Sequence, residues 1–297
     1  MQRTLLCASL AIVLALPVTA ANPTVASKDI EQVLTMRVDG TIAVDETGKV
    51  LTSTLDTPVD PRFRDVIERA IATWKFDPPT VDGKPARVKS AMRVTLVGRE
   101  VAAGTEVTID NVLFFAPGQQ NANWADEAKK LGKLSMAVVE MPRKPLYPKG
   151  FHVNGIVTMA VRANADGTVA DVFPTQCSLY QAGGRPDDFA RACKQMQDLA
   201  AKAIKTWKIG ITLNGDVPTD DNLTATVPLE YKMWGDGKRI GKTGEPGNWR
   251  MEARTQYVEA PWLVEKRLAQ RVGTSDVSGS ELLQPHSPLK LRDGARS

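Results

Sequence analysis

Histidine is scarce in this 297-residue chain: there are two, His152 and His286. Neither has a second histidine at helical spacing or a Cys/His cluster beside it, which leaves no zinc-type ligand set. There is no G-x-S-x-G, no H-E-x-x-H and no phosphate-binding loop. Gly241-Lys242-Thr243-Gly244 resembles the end of such a loop, but no strand and no Gly-x-x-x-x spacing precede it. The chain is therefore read as non-enzymatic, with no catalytic, cofactor-binding or metal-binding residue; an envelope hydrolase using scattered carboxylates is the competing class. A strong excess of one charge is also missing. Lys and Arg number 38 against 34 Asp and Glu, for a net charge of +4, and no dense basic run is present. That excludes a nucleic-acid binder that tracks phosphates.

Long hydrophobic runs are nearly absent too. The main one, residues 5–16, is 12 residues long, short of the ~20 that a membrane-crossing helix needs. Arg3 precedes it, Pro17 breaks it, and Val18-Thr19-Ala20 is a small-residue cleavage site. Residues 1–20 thus read as a cleaved secretory signal peptide, which places the mature chain in the periplasm. An uncleaved inner-membrane anchor is the alternative. Of three cysteines, Cys7 departs with the signal, leaving Cys177 and Cys193. An even pair in an oxidising compartment is expected to form a disulfide, with two buried thiols as the alternative.

What is present is a pattern of strands, turns and helices. Residues 33–44 alternate apolar and polar, as a half-buried strand does. Glu46-Thr47-Gly48 is a hairpin turn, and residues 50–55 return. Asp60-Pro61 starts a helix, with Asp as N-cap and Pro in the first turn. Its apolar face is Phe63, Val66, Ile67, Ala70, Ile71 and Trp74. A turn at Asp82-Gly83 leads to a strand at 88–97. The order then recurs: a strand at 155–163, a turn at Asp166-Gly167, a strand at 169–174, and a helix from Asp187 or Asp188 to Trp207. Asn214-Gly215 and a last strand at 224–233 close it. Ile71-Ala72-Thr73-Trp74-Lys75-Phe76 parallels Ile204-Lys205-Thr206-Trp207-Lys208-Ile209, and Gly48 parallels Gly167. The second copy carries an insertion near both cysteines and Gly183-Gly184. Each tryptophan, in phase with its helix's apolar face, is read as a core plug.

The expected fold class is α+β: two ββαβ units, each a small antiparallel sheet packed by one helix. Residues 28–98 form the first unit and residues 145–233 the second. Residues 99–144 are a structured connector with strand character at 101–115, a short helix at 124–134 and an extended piece at 134–141. Residues 234–297 are a tail with a helix near 262–271, disordered from Gly273 onward.

Pro145-Leu146-Tyr147-Pro148, the strand from Gly155, Asp166-Gly167, the helix closing in Trp207-Lys208 and the strand reaching Tyr231 together resemble the TonB C-terminal domain. The resemblance covers residues 145–233, and the first unit is similar to a more divergent copy that lacks the Tyr-Pro lead-in. It implies a periplasmic ββαβ module energised by the inner-membrane proteins ExbB and ExbD. Such a module contacts outer-membrane receptors by pairing a strand with their TonB-box peptide, a form of β-augmentation. The candidate edge is then Thr224, Ala225, Thr226, Val227 and Tyr231, with Tyr147 and Pro148 as motif residues. Pro228 lies within that strand and cannot donate to a ladder. Three departures bear on energy transduction. The apolar run has no histidine, no long Pro-rich spacer follows it, and the unit is doubled and followed by a tail. The reading taken is a periplasmic binding protein for receptor or other envelope peptides. A membrane-anchored transducer and a structural envelope module without a peptide ligand are the alternatives.

Overall fold

The structure is a computed structural model. It describes residues 30–81, 84–115, 134–150, 152–180, 185–213, 223–232, 234–235, 238–239, 245–264, 271–277 and 289–293. The signal peptide expected at residues 1–20, the turn pairs expected at 82–83 and 214–215, Gly183-Gly184, the helix expected at 124–134, Gly241 to Gly244 and His286 lie outside these residues.

The first half contains β1 (Ile30–Val44), β2 (Val50–Leu55), α1 (Pro61–Thr73), β3 (Val88–Val101) and β4 (Gly104–Phe115). The second contains β5 (Asn154–Ala163), β6 (Val169–Tyr180), α2 (Pro186–Ile204) and β7 (Thr224–Tyr231), and β8 (Arg250–Thr255) follows. Asp60 caps α1, its side chain accepting from the Arg62 amide at 2.9 Å. Asp187 and Asp188 lie in the first turn of α2, where carboxylates suit the positive end of the helix dipole.

The expectation of two separate units is corrected here. The strands form one continuous antiparallel sheet in the order β7-β5-β6-β8-β1-β3-β4, with β2 also paired to β1. The joint is β8, in the stretch expected to be a turn-rich tail. One edge of β8 pairs with Ile30 to Thr35 of β1, the other with Ser178 to Tyr180 of β6. β2 takes the rest of that edge of β1, from Gly40 to Val44. Both hairpins leave backbone groups unpaired along their facing edges, and one short strand satisfies both. A strand edge buried without partners is costly, so a single sheet is the lower-energy solution.

The internal repeat survives within this sheet. Each half has the order third strand, first strand, second strand; β8 lies between the second strand of one half, β6, and the first strand of the other, β1, whose edge it shares with β2. Three successive antiparallel pairings make β1 antiparallel to β5. The halves are thus related by half a turn about an axis normal to the sheet, which puts both helices on one face. α2 packs on Val157, Met159, Leu179, Val227 and Ala253, and α1 on Met36, Val38, Ile42, Val94 and Leu96. Trp74 and Trp207 are the expected plugs, 3% and 4% exposed. Cys177 of β6 and Cys193 of α2 form the expected disulfide, with Cα atoms 5.7 Å apart. It fastens helix to sheet.

The opposite face is covered by residues 271–277, another departure from the disordered tail expected from Gly273 onward. Thr274, Ser275 and Asp276 are buried. Glu252 of β8 is the hub. Its carboxylate accepts from Thr35 Oγ1 (2.6 Å), Arg250 Nε (2.6 Å), Ser178 Oγ (2.8 Å) and Ser275 Oγ (2.9 Å). Arg254 binds Asp110 through both terminal nitrogens, at 2.8 and 3.0 Å, and Glu31 through Nε. Arg93 grips Asp39 and donates to the Asp276 carbonyl at 3.0 Å. Burial alone would raise the Glu252 carboxyl, but Arg250 and the Thr35 and Ser178 hydroxyls outweigh it and hold it below the usual range. Burial pushes the Asp276 carboxyl up, and the hydrogen bonds from Thr95 and Asn111 do not outweigh it.

Candidate functional site

Two places collect polar groups: the buried cluster around Glu252 and the outer edge of β7. In the cluster, the carboxylates of Glu252, Asp39, Asp110 and Asp276 are each bound by donors within the chain. They clamp residues 271–277 to the sheet. Among the described residues, no group of three or more His, Cys, Asp or Glu is arranged to hold a metal ion. Two buried atoms in this region, Arg250 Nη1 and Tyr180 Oη, have no hydrogen-bond partner among the described residues. The Arg250 guanidinium stacks 4.1 Å from the centre of the Tyr180 ring.

The edge is different. β7 pairs with β5 along one side, from Thr224↔Arg162 to Tyr231↔Gly155. Among the described residues no strand pairs with its other side. Which backbone groups face out follows from one bond. The Ala163 amide donates to the Leu223 carbonyl at 2.9 Å, so that opposed pair is hydrogen-bonded. In an antiparallel ladder such pairs alternate with non-bonded ones. Ala225, Val227, Leu229 and Tyr231 therefore bond inward to β5, and the backbone groups of Thr224, Thr226, Pro228 and Glu230 point to the open side.

The five residues expected at the edge thus divide. Ala225, Val227 and Tyr231 turn their side chains into the core under α2 and are 4%, 2% and 5% exposed. Thr224 and Thr226 present outward backbone groups. Pro228 has its ring nitrogen at the open edge, where the ladder with β5 needs no donor. This explains how a proline fits here, and it removes one donor from the edge. Glu230, missed by sequence reasoning, is the fourth outward position. Its carboxylate also lies 2.8 Å from Lys232 Nζ.

Tyr147 and Pro148 are brought to the same end of the molecule. The Tyr147 ring meets the Tyr231 ring edge to face, with centroids 6.3 Å apart. Its hydroxyl donates to the Val153 carbonyl (2.5 Å) and accepts from the Val153 amide (2.9 Å). The Trp207 indole donates to the Arg143 carbonyl at 2.8 Å, and Tyr231 Oη donates to the Met196 carbonyl at 2.9 Å. The Tyr-Pro lead-in is therefore tied both to the end of α2 and to the last strand. Pro148 is buried. Cys177 and Cys193 lie in the core beneath and serve the scaffold. Sequence reasoning also missed three exposed apolar side chains: Val139, Met141 and Leu146, 58%, 43% and 68% exposed. The signal was their crowding within eight residues of chain, since lone exposed apolar residues are unremarkable but grouped ones mark contact surfaces. His152 is exposed, and among the described residues no metal-ligating cluster forms around it.

Compared with protein families, curated proteins and solved structures, the chain matches none.

Proposed function

We propose that this chain is a periplasmic, non-enzymatic binding protein, related in kind to the TonB C-terminal domain. It takes up an extended segment of an outer-membrane receptor or other envelope protein as an added strand on β7. The observation that carries this reading is the open edge: the amides of Thr224 and Thr226 and the carbonyls of Thr224, Thr226 and Pro228 face outward on a strand anchored to the core. Strand addition draws its affinity from such main-chain groups and its selectivity from alternate side chains. The lead-in at residues 145–148, packed through Tyr147 on Tyr231, supports the same reading and places exposed Leu146 in a neighbouring segment of chain. The disulfide suits an oxidising compartment. The buried carboxylates are engaged in holding residues 271–277, which argues for binding over catalysis.

The test is an amide-resolved titration of the full, oxidised chain with TonB-box peptides of outer-membrane receptors. Signals of Thr224 and Thr226 should shift, with loss of solvent exchange at those amides. Binding with no change along 224–231, or no binding at all, would defeat the proposal.

A further inference from the structure

The two halves differ at the outer edge of their third strands. The third strand of the first half, β3, has a partner on its outer side; the third strand of the second half, β7, has none among the described residues. That partner, β4, runs antiparallel to β3 with Ala91↔Phe115, Met92↔Phe114, Arg93↔Leu113 and Val94↔Val112. The repeat brings β7 onto β3 in a definite register. Gly48 and Gly167 occupy the same turn position, which aligns Ala43 of β1 with Arg162 of β5. Ala43 pairs with Lys89 and Arg162 with Thr224. Met92 then falls on Val227, Arg93 on Pro228 and Val94 on Leu229. Burial agrees, since all four apolar members of these pairs are core residues at 0%, 2%, 0% and 6% exposure.

We infer that the segment accepted by β7 lies antiparallel to it, in the register β4 takes on β3. An apolar, preferably aromatic, side chain stands opposite Val227 and a β-branched one opposite Leu229. This rests on the strand-addition reading and adds direction, register and partner chemistry to it. β4 is the guide to side-chain choice. Phe114 is 3% exposed and packs on Trp74 and Phe76, with ring centroids 6.0 and 5.3 Å away. Trp74 and Phe76 correspond to Trp207 and Ile209. A second copy of the chain suits this edge less well. Pairing β7 with β7 brings two Pro228 residues, each lacking a donor, onto one seam, whereas a peptide meets only one.

The test uses the full, oxidised, isotope-labelled chain and a synthetic peptide copying residues 104–115, with a nitroxide at either end. The C-terminal label should broaden the amides of Thr224 and Thr226, and the N-terminal label those near Tyr231. Replacing the peptide's phenylalanine at the 114 position (F114D) should weaken binding about tenfold, in keeping with the loss of one buried aromatic ring. The reverse broadening pattern would overturn the antiparallel register while leaving strand addition intact. Shifts confined to β3, from exchange with the chain's own β4, would overturn the inference, as would no binding; the receptor-peptide titration then judges strand addition separately. Sedimentation showing a peptide-independent dimer that Thr226→Pro abolishes would assign the edge to a second copy instead.

Discussion

The carbonyl of Gly167 accepts a hydrogen bond from the Ile209 amide at 2.8 Å, closing the hairpin of the second half against the chain that leaves α2. Gly48 and Phe76 do the same in the first half, at 3.0 Å. Both glycines have positive φ, +90° and +82°. A Cβ would stand 2.1 Å from the Phe76 carbonyl oxygen at Gly48, and 2.3 Å from that of Ile209 at Gly167. Gly48→Ala and Gly167→Ala should each cost about 2 kcal/mol or more, since left-handed backbone alone costs ~1–2 kcal/mol for a residue with a Cβ. Chemical denaturation of the two variants checks this.

The continuous sheet makes the halves unfold together. Trp207→Ala removes a buried indole from the core under α2 and should cost about 3–5 kcal/mol. If the halves were independent, only part of the circular dichroism signal would melt early. Because β8 belongs to both, one transition should shift as a whole, and Trp74→Ala should behave alike. Two resolved transitions would contradict the single-sheet account.

Glu252 links stability to acid. Its folded carboxyl lies below the ordinary value of 4.5, so its contribution is full above that value and fades as pH falls toward the folded pKa. Asp276, raised by burial, has the opposite sign: its ionisation weakens the fold as pH rises from 3.8. Glu252→Gln leaves Arg250 buried without its counter-ion and should cost about 3–5 kcal/mol at neutral pH. The acid-sensitive part of the denaturation profile should shrink with it. Tyr180→Phe is the contrasting case. It removes a buried hydroxyl that has no partner among the described residues while keeping the ring beneath Arg250, so stability should hold or rise. Urea titrations from pH 3 to 8, read as a pH series, check both variants.

The edge can be tuned without touching the core. Thr226→Pro deletes an outward donor that the ladder with β5 does not use. Pro228→Ala adds one. A net hydrogen bond is worth about 0.5–1.5 kcal/mol, so guest affinity should fall roughly twofold to tenfold in the first variant and rise by a similar factor in the second. Calorimetry with a bound peptide measures this, and unchanged melting temperatures show that the fold is kept. Pro228→Ala should also self-associate more, because an unblunted edge pairs with its neighbours.

Replacing both cysteines by serine frees α2 from β6. The bridge spans 16 residues of sequence, for which loop-closure entropy gives about 3 kcal/mol. Stability should fall by that order, and the reduced wild type should match the variant in the same denaturation assay.

Local structure was legible in the residues because it rests on short-range rules. Alternation placed β1, β5 and β7, the Asp60-Pro61 pair started α1, and glycines at 48 and 167 marked turns that a Cβ would block. The repeat, the disulfide and the plugging tryptophans follow from the same kind of reading. Tertiary structure alone decided that the halves share one sheet. Strand pairing depends on which edges come together, and the strand that joins them, Arg-Met-Glu-Ala-Arg-Thr at 250–255, alternates charge as a solvated segment does. Its charged face is buried only because Asp110, Ser275, Thr35 and Ser178 arrive from distant parts of the chain to meet it. The docking edge divides in the same way. That residues 224–231 form a strand is written in their pattern. That Thr224, Thr226, Pro228 and Glu230 turn their backbone outward depends on the register with β5, which a one-residue slip would reverse.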